Sequence, residues 1–260
     1  RAGADLLWGE SATRGGLGIR QAPKLVMCGR LNIRASDLTQ MLLEFLGEAY
    51  SGEDNFNAAP TENIPVLRMN EEGSVELTNM RWWLTPSWAR EPSTQYSMFN
   101  AKSETAATSP AFRGPYAKQR CVVPVSGFYE WCREQGQKVP YLIHGQEEKT
   151  LLLAGLWDCW SSRGTAGGVA NLYSFTLLTT AAHEKMQEVH HRQPVFLTSD
   201  QAKSWLDMAI PTTALEPLFA SKLPIPLHGS PVSTWVNSSR NKDQRCHQVI
   251  GPALAIEEPH

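Results

Sequence analysis

No run of about 18 apolar residues occurs anywhere in the sequence, so a membrane-spanning helix is excluded and no membrane partner is expected. Positive charge is not in excess either: 24 Lys and Arg stand against 26 Asp and Glu, a net of -2. That balance excludes a globally basic nucleic-acid binder and leaves room only for a local basic face. The five cysteines form an odd set with no two at Cys-x-x-Cys spacing, which gives neither a disulfide scaffold nor a zinc ribbon. A reducing compartment, no metal and no cofactor are the expectations. Charged residues are sparse at 19%, while 42% of the chain is hydrophobic and nine residues are Trp, enough apolar surface for a sizeable core.

Residues 1–26 carry Arg1, Arg14, Arg20 and Lys24 against Asp5 and Glu10, with no apolar stretch that could serve as the core of a secretion signal. They are expected to be a leader outside the fold, with one domain over 27–250 and a loose tail over 251–260. The chain is expected in the nucleus if eukaryotic and otherwise in the cytoplasm, and not secreted. Ser36 and Asp37 precede Leu38, Met41, Leu42, Phe45 and Leu46 at helical spacing, and Gly47 ends the run, so a short amphipathic helix is predicted. Residues 50–65 read as solvated loop leading to a strand around Val66 and Leu67. Short β-rich runs follow at Cys121 to Val125, Phe128 to Cys132, Leu151 to Leu156, Leu172 to Thr180 and Pro194 to Thr198, with helices predicted at Ala181 to Val189, Asp200 to Met208 and Thr213 to Lys222. Strands outnumber helices without regular βαβ units, so the fold class is α+β: a mainly antiparallel, barrel-like β core with flanking helices.

Charge is unevenly spread. Residues 41–80 carry a net of -7, whereas 81–120 carry +4 through Arg81, Arg90, Lys102, Arg113, Lys118 and Arg120. The tryptophans of that second stretch, Trp82, Trp83 and Trp88, are either stacking surfaces for bases or core packing. Glu130 lies between Tyr129 and Trp131 on a predicted strand. Partial desolvation there would suit it to exchange protons near neutrality, the alternative being a buried ion pair with an Arg. His190 and Asn100 stand in apolar or aromatic surroundings, and each has a bland reading as a structural histidine or a turn former. Cys28 follows Met27 directly. If it became the first residue, it would carry an amine and a thiol on adjacent carbons, a group that condenses with an aldehyde to a five-membered thiazolidine; the alternative is an inert thiol.

Seven blocks follow in order: Met27-Cys28-Gly29-Arg30, Arg81-Trp82-Trp83-Leu84 with Pro86-Ser87-Trp88, Phe99-Asn100-Ala101-Lys102-Ser103-Glu104-Thr105, Arg120 to Pro124 with Gly127-Phe128-Tyr129-Glu130-Trp131, Ala154 to Trp157, His190-His191-Arg192-Gln193-Pro194, and Val236-Asn237. In this arrangement the chain resembles the SOS response-associated peptidase (SRAP) family from Met27 to about Ile250. The resemblance implies capture of abasic sites in single-stranded DNA as a covalent crosslink, with removal of the protein's own N-terminal peptide. It implies that Cys28 supplies amine and thiol, Asn100 orients the amine, Glu130 moves protons during ring opening, and His190 assists at the sugar. Arg30 and Lys102 would contact phosphate, within a DNA face that also takes in Trp82, Arg113, Lys118 and Arg120; the sequence identifies no protein partner. Four positions depart from the family pattern: Cys28 is internal, Trp83 replaces a usual Gly, Lys102 an Arg and Gln193 a Met. Two other readings stay open, a cysteine amidohydrolase or peptidase with His190 as base and no DNA role, and a module that binds damaged DNA without reacting.

Overall fold

The computed structural model describes residues 29–134, 136–146, 150–162, 170–223 and 225–256; Cys28, with Met27 and the expected leader 1–26, lies outside the described residues. In chain order the elements are β1 (Leu31–Ile33), α1 (Ala35–Leu46), β2 (Asn55–Ala58), β3 (Asn63–Met69), β4 (Val75–Trp82), β5 (Asn100–Lys102), α2 (Ser103–Ala106) and α3 (Arg113–Lys118). They continue with β6 (Arg120–Val125), β7 (Gly127–Glu134), β8 (Gln137–Gly145), β9 (Leu151–Ser161), β10 (Asn171–Ala181), β11 (Arg192–Pro194), β12 (Phe196–Leu197), α4 (Ser199–Leu206), β13 (Leu227–Pro231) and β14 (Leu254–Ile256).

Two sheets form. One runs β14-β13-β8-β7-β1-β2. In the other, β10, β4, β3, β6 and β9 pair in turn, and β9 pairs again with β10, closing a five-stranded barrel. Pairing is antiparallel except where β10 meets β4 and β5. The alternation of β6 explains the layering: Cys121, Val123 and Val125 turn into a central layer shared with Leu31, Phe128 and Ile143 of the first sheet, while Val122 turns to an outer layer with α4. Every residue of β6 is buried, as a continuous apolar run requires. At Gly155 a Cβ would lie 2.9 Å from Cys121 Sγ and 3.0 Å from the Thr176 carbonyl oxygen, so only glycine lets β9 pass between β6 and β10.

The α+β, mainly antiparallel, barrel-containing architecture agrees with the sequence reading. Helix α1 buries Leu38 and Leu42 and ends on Gly47 at φ 75, whose N–H donates to the Leu43 carbonyl. Helix α4 starts with a capping box between Thr198 and Gln201. Other segments differ. Residues 50–65 hold β2 and the start of β3, because buried Asn57 supplies hydrogen bonds that a loop would draw from water: its Nδ2 donates to the carbonyls of Val236, Ser238 and Asn241 at 2.9–3.1 Å. Ala181 to Val189 is not a helix but one 3-10 turn, Glu184–Met186; Ala181 completes β10, and the helix-like spacing reflects Ala182, Met186 and Val189 reaching the core from a turn. Thr213 to Lys222 is likewise a 3-10 segment, Thr212–Phe219, with Pro217 inside it. Within the expected loose tail, Leu254–Ile256 pair with β13 and bury Ile256.

Arg120 corrects the DNA-face expectation. It is 1% exposed and donates from Nε to the Trp205 carbonyl at 2.6 Å and from Nη2 to the carbonyls of Asp207 and Ile210. The first two are carbonyls at the end of α4, which have no partner within the helix, so the cation fastens that end to the barrel. Trp205 returns a bond from Nε1 to the Cys121 carbonyl at 2.9 Å. Arg120→Ala is therefore expected to cost ~3 kcal/mol, a Tm fall of roughly 6–12 °C, whereas Arg113→Ala on exposed α3 should change stability by under about 0.5 kcal/mol. Thermal unfolding of the two variants checks it, and equal effects would return Arg120 to the surface.

Candidate active site

Strand β7 presents Phe128, Glu130 and Cys132 on one face and Tyr129 and Trp131 on the other. Phe128 lies in the central layer with its ring 6.1 Å from Phe196, so Glu130 turns into the same layer and is only 4% exposed. On the opposite face, the Tyr129 hydroxyl donates to the Phe56 carbonyl at 2.7 Å and accepts from Asn32 at 2.8 Å, and burial raises its phenol above the usual range. Trp131 donates from Nε1 to Asn237 Oδ1 at 2.8 Å. Burial, followed by the charges of Glu130 and Glu134, pushes the Cys132 thiol up to about 11. Burial also raises the thiols of Cys121 and Cys246. A thiol held protonated in this way is a poor nucleophile.

Asn100 opens β5 and pairs with Leu177 of β10, a central-layer residue, so it faces the space that Glu130 enters from the other sheet. The Phe99 carbonyl beside it accepts from Trp82 Nε1 at 2.9 Å and from the Leu177 N–H at 3.0 Å. This removes Trp82 from the list of DNA contacts. It is fully buried, edge-on to Phe99 at 5.9 Å and parallel to Phe175 at 6.4 Å, because β4 turns it inward with Met80. Trp83 is half-buried with its ring 5.1 Å from Phe99, so it supplies packing against the residue before Asn100. Trp88 is 68% exposed, and its loop is pinned where the Ser87 N–H donates to Asp158 and Trp160 donates to the Ala89 carbonyl, both at 2.8 Å.

His190 is 6% exposed, with its ring 4.2 Å from that of His191. Its Nδ1 accepts the Arg192 backbone N–H at 3.0 Å, so the proton of the neutral ring is on Nε2, which is buried without a partner among the described residues. Arg192 joins this corner to β5. It pairs with Glu104 at 2.9 Å and donates to the Thr179 carbonyl at 2.6 Å, and Thr179 is the register partner of Lys102. The Arg192 guanidinium holds the Glu104 carboxyl below its usual range. Lys102 is exposed at the end of β5. Gln193 is a tie: its side chain accepts the His183 N–H at 2.7 Å and donates to the Lys222 carbonyl at 3.0 Å.

The expected cations differ in exposure: Arg120 is buried, Arg30 half-buried, and Lys102, Arg113 and Lys118 exposed. Arg30 is half-buried, donating to Asn57 Oδ1 at 2.9 Å and to the Val236 carbonyl at 2.8 Å, with its guanidinium 5.9 Å from the Trp131 ring. Arg113 and Lys118 are exposed on α3, whose Tyr116 packs in the outer layer near Trp205. Asn57 and the Arg192–Glu104 pair were not singled out from the sequence. Both members of that pair stand inside quoted blocks, but Asn57 sits in a stretch whose composition reads as loop.

Burial first, then the charge of His191, lowers His190 from 6.5 to about 4. Between those values the unfolded chain binds the proton more readily than the folded one, so the contribution to stability is complete above 6.5 and is lost as pH falls through about 4. An NMR titration of the imidazole should find it neutral, with the proton on Nε2, at pH 6.5. A midpoint near 6.5 would undo the buried-donor assignment.

Comparison with known proteins places this geometry among relatives. Abasic site processing protein YoqW of Bacillus subtilis (strain 168) is 32% identical over 225 residues, covering 83% of this chain and 96% of that protein. Abasic site processing protein HMCES of Gallus gallus is 35% identical over 223 residues, covering 74% of this chain and 65% of that protein. Solved structures share the fold. A protein from Bacteroides thetaiotaomicron superposes with a TM-score of 0.70 at 20% identity over 86% of this chain and all 100% of its own. One from Bordetella bronchiseptica gives 0.66 at 25% identity over 79% and 100%. The family model described as SOS response associated peptidase (SRAP) matches residues 27–239, and the chain belongs to that family.

Proposed function

We propose that this protein captures abasic sites in single-stranded DNA as a covalent thiazolidine, using Cys28 as its first residue. The observation that carries the reading is the shared layer into which Glu130 and Asn100 turn from opposite sheets, a carboxyl and an amide shielded from bulk water. Relatives named abasic site processing proteins supply the substrate class.

Hydrolysis of the Met27–Cys28 bond consumes one water and frees the amine. An amide nitrogen could not react, because its lone pair is delocalised into a planar bond. The closed abasic sugar opens when its hemiacetal hydroxyl gives its proton to water and the ring C–O bond breaks, the ring oxygen taking a proton from the Glu130 carboxyl, which the protonated water then restores. The Cys28 amine, oriented by Asn100, adds to the aldehyde and water leaves as the imine forms. The thiol sulfur then adds to the imine carbon and its proton passes to nitrogen. His190, neutral with a proton on Nε2, donates to a sugar oxygen rather than acting as a base. Lys102 supplies an exposed cation for the backbone. The raised thiols of Cys121, Cys132 and Cys246 argue against a nucleophile among those residues.

Incubation with an oligonucleotide bearing one abasic site tests the reading. A chain beginning at Cys28 should form a denaturation-resistant adduct, and one whose intact mass retains residues 1–27 should not. Equal adduct from both would show that the amine is not the nucleophile, while DNA-independent peptide cleavage without adduct would favour the hydrolase reading. Glu130→Gln should slow adduct formation about 100-fold or more while changing affinity for an intact oligonucleotide by less than about threefold. Reaction at the parent rate would make Glu130 structural.

A further inference from the structure

We propose that the protein binds a divalent transition-metal ion between His144 and His228, on the face of the six-stranded sheet turned away from the central layer. The inference is independent of the DNA reading. Strands β8 and β13 are antiparallel with His144 directly opposite His228. Their neighbours Ile143 and Leu227 belong to the central layer, so the alternation of the strands turns both imidazoles to the other face, where each is half-buried. The ring centroids are 5.9 Å apart and the planes are tilted by 28°. An ion about 2.0–2.1 Å from one nitrogen of each ring fits that spacing.

The ring nitrogens are already arranged for this. His144 Nδ1 lies 3.0 Å from the Gly145 carbonyl oxygen, and a hydrogen bond there puts the proton on Nδ1 and leaves a lone pair on Nε2. The Ser230 hydroxyl is 3.1 Å from that Nε2, as a donor to it or as a third, oxygen ligand. His228 Nε2 is buried with no hydrogen-bond partner among the described residues, a condition that coordination would relieve. The register neighbours on either side are the smallest available: Gly127 of β7 opposite His144 and Ala255 of β14 opposite His228. A Cβ at Gly127 would lie 2.6 Å from the Ile143 carbonyl oxygen, 3.0 Å from Leu142 Cδ1 and 3.2 Å from His144 Cβ, so this position beside the pair takes only glycine.

Two imidazoles with hydroxyl and water select borderline ions such as Cu2+, Ni2+ and Zn2+ over Mg2+ or Ca2+. Among the described residues no three His, Cys, Asp or Glu groups cluster, so this is a two-histidine site completed by oxygen. A bound ion would tie β13 to β8.

The test uses the full chain carrying Cys28→Ser, which removes a competing thiol. Calorimetric titration with Zn2+ should give one equivalent bound, and His228→Ala should weaken it at least about tenfold, as should His144→Ala. Substoichiometric Ni2+ should broaden the ring resonances of His144 and His228 before those of the other five histidines, a measurement that needs no variant to fold. Absence of Zn2+ binding, affinity unchanged in His228→Ala, or broadening that begins at other histidines overturns the proposal.

Discussion

Strand β9 is hydrogen-bonded along both edges, to β6 on one side and β10 on the other, and this double pairing closes the barrel. The closure depends on close approach at Gly155, where neighbouring backbone and sulfur leave no room for a side chain. Much of the remaining structure is referred to that ring of strands. Arg120, at the start of β6, collects the carbonyls at the end of α4, and Trp205 answers from α4 to the carbonyl of Cys121. The six-stranded sheet packs Phe128 and Ile143 against the barrel's own apolar face. The layer between the two is where Glu130 meets the side of the molecule that carries Asn100.

What the sequence made legible is what apolar spacing and chain punctuation control. The stripe from Leu38 to Leu46 and its stop at Gly47 give α1, and the uninterrupted apolar run after Arg120 gives β6. Side-chain hydrogen bonds to distant carbonyls leave no such trace. Asn57 stabilises β2 through residues nearly two hundred positions away, so its strand looks like loop. Charge counting fails for a related reason. The excess over 81–120 includes Arg120, whose charge is spent on buried helix carbonyls, and nothing in a one-dimensional tally distinguishes it from Lys102. Aromatic residues divide similarly: β4 turns Trp82 inward, and a pinned loop leaves Trp88 in solvent.

At the candidate site, cations are restrained by protein oxygen before any ligand arrives. Arg30 is held by Asn57 and the Val236 carbonyl, and Arg192 by Glu104 and Thr179. Such prior bonding fixes the direction of each group and leaves it little side-chain entropy to lose.

Strand β10 pairs with β4, β5, β9 and β11 along its length. Such a strand has few amides that can reach solvent through a local fluctuation, so its hydrogen exchange should approach the rate set by global unfolding. The partners of Asn100 and Arg192, Leu177 and Thr179, lie on it. The two halves of the site carried by the barrel are therefore set on the part of the protein that opens last, and fraying at β14 or in the Trp88 loop would leave their spacing intact.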